Sequence, residues 1–365
     1  MHEHREGGAR FLADEREVVS ADMGVFYNPL MRENRDASLL VLSWLFSRRT
    51  PKRLCFPLAA SGVRPIRMLE ELEVPMCEVL INDHDARAVN AIISSVELNE
   101  RASRWKGALS VSNMRAQSLL ASTHCDYIEI DPFGSPLEFL DPALQSITHT
   151  GILAVTATDT AALCGTYPKT GLRRYHAFTE RSPLMHEHAA RILAAVVERS
   201  AARYGKAARI VFAYAHAHYV KLFFEIRTSR SEAFDLVRDA QYWLIDHTGY
   251  PLERRAFGSG RAEDMIGPLS AQPLFDASLI AHAQETGAQL CDRFRASLEM
   301  IGAEAHVGGS TIDLHALASE LSLASVPRSA AVIERLGRAR AARTHFHETA
   351  IRTTASRTEI IEAMR

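Results

Sequence analysis

The 365-residue sequence predicts an α/β fold, with a mostly parallel β-sheet in the first domain and a second, smaller carboxyl-terminal α/β domain. From residue 53 onwards, short β-rich segments alternate with amphipathic segments, which is typical of right-handed βαβ units. Two further β-rich segments, 209–215 and 219–229, follow with a tight link and predict an antiparallel hairpin. After about residue 240 the pattern changes to helices separated by Pro and Gly, so we predict domains at 1–240 and 241–365.

The individual elements follow in chain order. The first 36 residues are polar, and the apolar segment 37–46 predicts a helix that ends before Pro51. Strands are predicted at 53–59, 78–83, 108–112, 125–133 and 151–159. Helices are predicted at 63–72, 86–99 and 185–205, where Gly205 is a stop signal, and in the second domain at 315–325 and 329–346.

Composition excludes several classes of protein. Hydrophobic residues make up 47% and charged residues 24%, which excludes a disordered, collagen-like or coiled-coil chain. The five cysteines show no C-x-x-C spacing, so we expect reduced thiols and no bound metal. The polar first residues lack the apolar core of a signal peptide, and no apolar run is as long as a membrane span. We therefore expect a cytoplasmic protein without a membrane partner.

The ends of the predicted strands carry the first candidate site residues, because ligands bind outside the carboxyl ends of strands in open α/β sheets. A small-residue turn with Ser61 and Gly62 precedes the helix at 63–72, where the backbone can approach a ligand. Asp83 ends the next strand and can accept hydrogen bonds from a ribose diol. Its alternative role is to cap the following helix.

The sequence D-P-F-G at 131–134 is the most specific candidate, because it resembles the (D/N)-P-P-(F/Y) motif of amino-methyltransferases. An exocyclic base amine must become more sp3-like before it attacks a methyl sulfonium. The Asp131 carboxylate and the Pro132 carbonyl can accept its two N–H bonds, while Phe133 stacks on the base. A plain strand-ending turn is the alternative, since Asp, Pro and Gly are all turn residues.

The segment V-F-Y-N-P-L-M-R-E-N-R-D at 25–36 carries aromatic and basic residues next to the first apolar helix. Phe26 could stack on a base, and Arg35 could bind a carboxylate through two hydrogen bonds. The alternative is an N-capping loop with Asp36 as the cap.

These segments together resemble the tRNA (guanine-N2)-dimethyltransferase family, whose usual target is the guanosine at position 26. The matching segments run in family order over almost the whole chain: FYNPLMRENRDAS (26–38), ASGVRPIR (60–67), ND (82–83), IDPFGSPLEFLDPA (130–143), GILAVTATDTAALCG (151–165), HYVKLF (218–223), IGPL (266–269) and RTHFHETAIRTTA (343–355).

The resemblance implies a Rossmann-like class I methyltransferase domain that uses S-adenosylmethionine and a smaller domain that binds tRNA. Asp131, Pro132 and Phe133 match the catalytic segment. Three further residues, Arg35, Arg64 and Asp83, match family positions that contact S-adenosylmethionine, and Phe26 matches a wall of the methionine end or the base. The small turn with Ser61 and Gly62 belongs to the same cofactor site.

The chain also departs from the family pattern. Phe56 stands where the first strand usually carries an acid, and Arg115-Ala116 aligns with a usual Asp-Ala that contacts the adenine. The four zinc-binding cysteines of many members are absent. A catalytically weakened tRNA-binding protein or RNA chaperone is therefore one alternative. An amino-methyltransferase for another substrate is a second, although such enzymes usually have a second proline where Phe133 stands, and a nicotinamide dehydrogenase would need a G-x-G-x-x-G turn.

Residues 331–365 contain seven Arg and four acidic residues, so we expect a phosphate-contacting face there. A solvated helix face is the alternative. We expect a monomer, and we interpret His186, His188, His216 and His218 as structural or surface residues rather than metal ligands.

Overall fold

The computed structural model describes residues 1–14, 24–245, 251–255, 265–283 and 285–365. In chain order the strands are β1 His2–Glu6, β2 Ala9–Ala13, β3 Arg53–Phe56, β4 Glu78–Asp83, β5 Leu109–Asn113, β6 Cys125–Ile130, β7 Ile147–Ala157, β8 Lys206–His216, β9 Tyr219–Thr228, β10 Gln241–Ile245, β11 Pro251–Arg255, β12 Met265–Leu269, β13 Ser310–Asp313, β14 Ala341–Arg343 and β15 Ala350–Thr353. The helices are α1 Arg32–Arg48, α2 Val63–Glu71, α3 Ala86–Glu97, α4 Glu100–Ser103, α5 Ala116–Ala121, α6 Leu137–Ser146, α7 Thr160–Leu163, α8 Pro168–Tyr175, α9 Met185–Ala202, α10 Arg230–Asp239, α11 Ala277–His282, α12 Asp292–Val307, α13 Leu314–Glu320, α14 Ser329–Leu336 and α15 Arg357–Met364.

The largest sheet among the described residues has seven strands in the order β5-β4-β3-β6-β7-β9-β8. Strands β3 to β7 pair in parallel, whereas β9 pairs antiparallel with both β7 and β8. The predicted parallel sheet and the predicted hairpin are thus confirmed. The hairpin places its second strand inside the sheet, between β7 and β8.

Both faces of this sheet are covered by helices, as the near-continuous apolar strands require. Alternate residues of β7 enter different cores: Leu153 and Val155 pack with apolar residues of α6 and α9. Ile152 and Ala154 pack on the other face with residues of α1, α2 and α12. The period-two alternation of a strand therefore accounts for the three-layer architecture.

Two elements of the amino-terminal region differ from the sequence-based expectation. Residues 2–13 form an antiparallel hairpin of β1 and β2, whose apolar side packs against Val63, Ile66 and Ala91. Helix α1 begins at Arg32 rather than at residue 37, so its first turn is polar but buried. Asp36 therefore lies inside α1, and the alternative that it caps the helix is wrong.

The chain beyond residue 240 builds two three-stranded sheets, β11-β10-β12 and β13-β15-β14. The second sheet packs with α13, α14 and α15 around a separate small core. The predicted helix 329–346 is shorter than expected: α14 ends at Leu336, and Gly337 takes a φ of +88° before β14 begins. In the sequence between these two sheets, Leu279, Phe294 and Ile301 pack into the core on one face of the seven-stranded sheet. The division at residue 240 stays a prediction.

Candidate active site

A cavity of about 1000 Å³ opens where the loops after β3, β4 and β6 meet. It lies at the carboxyl ends of the parallel strands, as expected for this sheet architecture. Ten of the eleven site residues predicted from the sequence line it: Phe26, Arg35, Ser61, Arg64, Asp83, Arg115, Ala116, Asp131, Pro132 and Phe133. The eleventh, Gly62, follows Ser61 directly and begins α2.

The turn after β3 is shaped by Gly62, which has a φ of +73°. A Cβ atom there would lie 2.9 Å from Cγ1 of Ile92, so the site needs glycine for both conformation and space. The turn is tied to the neighbouring strand because the Ala60 amide donates to Oδ2 of Asp83 at 2.8 Å. The backbone of the turn and the Asp83 carboxylate therefore form one wall of the cavity.

Asp83 is not the cap of the following helix, so that alternative is wrong. Asp85 caps α3, and its side chain accepts from the Arg87 amide at 2.8 Å. The carboxylate of Asp83 is nearly buried, lines the cavity and also accepts from the Asp85 amide at 3.0 Å.

Asp131 is held by the buried guanidinium of Arg64, with which it forms an ion pair. Arg64 also donates to Ser38 Oγ at 2.5 Å and to Asn34 Oδ1 at 2.9 Å. Burial opposes the charge of Arg64, but Glu129 and Asp131 raise its pKa above the ordinary value. The arginine is therefore a fixed cation that orients the Asp131 carboxylate at the cavity wall.

A second pair of hydrogen bonds fixes the loop after Asp131. The Gly134 amide donates to Thr158 Oγ1 at 2.6 Å, and the Thr158 amide donates to the Gly134 carbonyl at 2.9 Å. Thr158 directly follows β7 and Gly134 belongs to the loop after β6, so these bonds tie the loop after β6 to the end of β7.

Behind Asp131 lies a buried polar cluster that the sequence analysis missed. Glu129 accepts from Lys221 Nζ at 2.5 Å and from the Tyr127 hydroxyl, and lies 3.7 Å from Arg64. Burial alone would raise the pKa of Glu129, but Arg64 and Lys221 lower it to about 2. A signal was available, because residues 127, 129 and 131 alternate along the strand predicted at 125–133 and would share one face of it.

Arg35 has a protein partner, the carboxylate of Glu6 at the end of β1. Its Nε donates to Glu6 Oε1 at 2.7 Å, and Nη2 bonds Glu6 Oε2 and the Asn28 carbonyl. Burial opposes ionisation of Glu6, but Arg35 and Arg67 lower its pKa to about 2. These bonds orient the guanidinium along the cavity wall, and among the described residues Nη1 of Arg35 makes no hydrogen bond.

The two aromatic candidates form a pair at the cavity. The ring centroids of Phe26 and Phe133 are 4.3 Å apart, at an interplanar angle of 74°. Phe133 is 53% exposed, which is unusual for a phenylalanine that serves only packing. The pair presents an apolar surface beside Asp131 that a flat ligand can use.

The two departures from the family pattern occupy different places. Phe56 is buried in the core below the sheet rather than at the cavity. Arg115 lines the cavity at the start of α5, beside Gln117, whose amide donates to Glu138 Oε2 at 2.8 Å. His218, which we interpreted as structural or surface, also lines the cavity.

In the part of the chain that the structure describes, no group of three or more His, Cys, Asp and Glu side chains could hold a metal ion. The described helices include none with the length and apolar character needed to cross a membrane.

The strand order and the cavity at the carboxyl ends of β3, β4 and β6 define a Rossmann-like methyltransferase. A family model described as N2,N2-dimethylguanosine tRNA methyltransferase matches residues 7–365. The tRNA (guanine(26)-N(2))-dimethyltransferase of Thermococcus kodakarensis is 35% identical over 378 residues, covering 99% of this chain and 98% of that protein. The tRNA (guanine(26)-N(2)/guanine(27)-N(2))-dimethyltransferase of Aquifex aeolicus is 41% identical over 226 residues, covering 60% of this chain and 56% of that protein.

Among solved structures, Trm1 from Pyrococcus horikoshii in complex with S-adenosyl-L-methionine superposes with a TM-score of 0.89 at 31% identity, covering all of both chains. The chain belongs to the N2,N2-dimethylguanosine tRNA methyltransferase family.

Proposed function

We propose that this protein transfers two methyl groups from S-adenosylmethionine to the exocyclic N2 amine of the guanosine at position 26 of tRNA. The observation that carries the proposal is the Asp131 carboxylate, which is held by buried Arg64 at a cavity wall beside the exposed ring of Phe133. A hydrogen-bond acceptor for an amine and a flat apolar surface for its base lie together there. Family membership names the same reaction.

The cavity fits the cofactor by the chemistry of its walls. The glycine-dependent turn exposes backbone close to the cavity, and Asp83 offers carboxylate oxygens to a ribose diol. Arg35, oriented by Glu6, can donate from Nη1 to a carboxylate. When bound, S-adenosylmethionine supplies the methyl group as an electrophile on its sulfonium.

Asp131 prepares the nucleophile. The lone pair of the guanine amine is delocalised into the ring, and N–H bonds donated to the Asp131 carboxylate and the Pro132 carbonyl localise it on nitrogen. After transfer the nitrogen carries a positive charge, which the neighbouring carboxylate stabilises until the proton leaves. Arg64 keeps the carboxylate pointing at the cavity throughout.

The target base must leave its stack to reach Asp131, at a cost of a few kcal/mol. Phe133 and Phe26 supply a stacking surface that offsets this cost. For the second transfer, the monomethylated amine turns so that its remaining N–H faces Asp131.

We also propose that the protein acts as a cytoplasmic monomer without a metal and that residues 241–365 provide tRNA backbone contacts. Within 331–365, Arg343 is exposed, whereas Arg352 is buried between Glu187 and Glu304. The excess of positive charge in that segment is therefore only partly on the surface.

Methyl transfer from labelled S-adenosylmethionine to unmodified tRNA transcripts, followed by nucleoside analysis, tests the proposal. We expect N2,N2-dimethylguanosine with wild-type tRNA and no product when position 26 is adenosine. Product on the adenosine variant would place the target elsewhere. Binding of both transcripts without any methylated nucleoside would favour a tRNA-binding protein that does not methylate.

A further inference from the structure

Lys221 is fully buried in the seven-stranded sheet, behind the wall of the cavity. It lies on β9 directly opposite Thr156 of β7, and its Nζ donates to Thr156 Oγ1 at 3.1 Å. The side chain also reaches across β7 to β6, where Nζ donates to Glu129 Oε1 at 2.5 Å. A buried ion pair is weak evidence for a role in stability alone, since apolar residues of similar volume often serve as well.

The Arg64 guanidinium lies between two carboxylates that are two residues apart in the chain. Its Nη2 forms the ion pair with Asp131, and its Nη1 lies 3.7 Å from Glu129 Oε1. Asp131 lines the cavity, whereas Glu129 is buried behind it. The two carboxylates therefore compete for one cation, and the outcome of that competition decides whether the carboxylate at the cavity is held.

Lys221 shifts this competition in favour of Asp131. Its Nζ lies closer to Glu129 than the guanidinium of Arg64 does, and the attraction between charges falls with distance. Together the two cations match the two carboxylates in number. Without the ammonium group of Lys221, Arg64 would be the cation within 4 Å of Glu129 in the part of the chain that the structure describes.

We propose that Lys221 is a positioning residue for methyl transfer, which pairs with Glu129 and thereby keeps Arg64 on Asp131. The inference rests on the proposed function for the identity of the reaction. Lys221 does not touch the substrate, and it acts through the orientation of the Asp131 carboxylate that accepts from the guanine amine. The need for Lys221 therefore depends on the charge of Glu129, which a purely structural role of the lysine in catalysis would not require.

The test compares Lys221→Met with the double variant Glu129→Gln/Lys221→Met. Methionine keeps the length of the lysine side chain without its charge, so Glu129 should draw Arg64 away from Asp131. We expect the single-turnover rate at saturating S-adenosylmethionine to fall about 10- to 100-fold, because a displaced catalytic group loses its alignment. The affinity for tRNA should change less than about twofold. In the double variant the competing carboxylate is gone, and most of the lost rate should return.

Lys206→Met is the matched control. Lys206 also belongs to the seven-stranded sheet, on β8, and its half-buried Nζ donates to the backbone carbonyls of Leu144 and Ile147 at 2.5 and 2.8 Å. Its loss should lower the free energy of unfolding in urea and leave the rate of the folded enzyme unchanged. If Lys221→Met behaves in the same way, the lysine is structural and the inference is wrong.

Two further results would also overturn the inference. One is a double variant that folds but methylates as slowly as Lys221→Met, since the lysine would then be needed in the absence of Glu129. If Lys221→Met is too unstable to purify, the double variant carries the test alone, and it should fold and methylate within about tenfold of the wild-type rate. The other is a crystal structure of Lys221→Met in which Arg64 still pairs with Asp131 although the rate has fallen.

The failure of the inference differs from the failure of the proposed function. Wild-type enzyme that forms N2-methylated guanosine, together with any of the contrary results above, would leave the proposed function standing. Wild-type enzyme that forms no product would refute the proposed function, and with it the role of Lys221 in methyl transfer. The crystal structure would then still report whether Lys221 decides which carboxylate Arg64 pairs with.

Discussion

Asp131 depends on residues that are far from it in the sequence. Its partner Arg64 is itself held by Ser38 and Asn34 of α1, and the charge of Arg64 is balanced by Glu129. The orientation of one carboxylate thus depends on side chains from α1, α2 and β6. A motif search identifies the carboxylate, but the hydrogen bonds that orient it come from the fold.

Asp131→Asn tests the role of that carboxylate. The amide keeps the size of the side chain but loses the charge, so the rate of single-turnover methyl transfer should fall by about 10²- to 10⁴-fold. Affinity for tRNA and for S-adenosylmethionine should change less than about twofold. The control is Asp239→Asn, which also neutralises an arginine-paired aspartate but lies outside the cavity. Wild-type turnover by Asp131→Asn would refute the mechanism.

Phe133→Ala tests the stacking surface. Since the ring is 53% exposed, its loss should leave the free energy of unfolding almost unchanged. Loss of a base-stacking ring should reduce kcat/KM for tRNA by about 5- to 150-fold, which corresponds to roughly 1–3 kcal/mol. Phe234→Ala removes a ring that is 63% exposed on α10 and should have no effect on kinetics. Equal losses in both variants would indicate a non-specific effect.

At the scale of elements, the first turn of α1 shows where sequence patterns mislead. Glu33, Asn34, Arg35 and Asp36 are polar, which predicts a loop, yet all four are buried. Each has a partner from another part of the chain: Tyr214, Arg64, Glu6 and Arg67, respectively. Because these partners satisfy the buried groups, the helix can extend through polar residues.

Gly62→Ala tests the turn between β3 and α2. The positive φ alone costs an alanine about 1–2 kcal/mol, and contact of the new Cβ with Ile92 adds to this. We expect a lower free energy of unfolding in urea and weaker binding of S-adenosylmethionine. Gly287→Ala is the control, since a Cβ there meets nothing within 4 Å. Unchanged cofactor affinity in Gly62→Ala would separate this turn from the cofactor site.

Glu6→Gln tests how the β1–β2 hairpin supports Arg35 and Arg67. The pKa of Glu6 falls from 4.5 to about 2 on folding, so its ionised form stabilises the fold fully above pH 4.5. That contribution, on the order of 3 kcal/mol, is lost as the pH falls from 4.5 towards 2. In urea unfolding at several pH values, Glu6→Gln should therefore lose stability at pH 7 and show a shallower pH dependence below 4.5. Parallel curves for variant and wild type would contradict this.

At the scale of the molecule, buried ion pairs join the carboxyl-terminal sheet to α9, which packs against β8 and β9 of the seven-stranded sheet. Arg352 of β15 contacts Glu187 of α9 at 2.9 Å and Glu304 of α12 at 2.9 Å. Burial opposes ionisation of Glu187, but Arg352 and Arg191 lower its pKa well below the ordinary range. The contacts connect β15 to α9 and α12 through buried charges, and loss of one partner would leave the other charge buried without compensation, which is costly.

Arg352→Met tests this connection. It leaves Glu187 and Glu304 buried with less compensation, so the free energy of unfolding should fall by about 3–5 kcal/mol at pH 7. The loss should be smaller at pH 4, because Glu187 and Glu304 can take up protons once Arg352 no longer lowers their pKa. Arg340→Met breaks an exposed pair with Glu359 and should cost less than about 1 kcal/mol. Equal costs at the two positions would show that the buried pairs contribute no more than a surface pair.

The sequence by itself determined the alternation of strands and helices, the final hairpin and the residues that gather at the cavity. These features depend on short-range periodicity and on residues at strand ends, which topology brings together. Only the tertiary structure decided that the first turn of α1 is helical and that residues 2–13 form a hairpin. It also decided that Arg352 is internal and that Glu129 and Glu6 support the site. The reason is physical: a polar side chain can be buried when a partner compensates its charge, and that partner is distant in sequence.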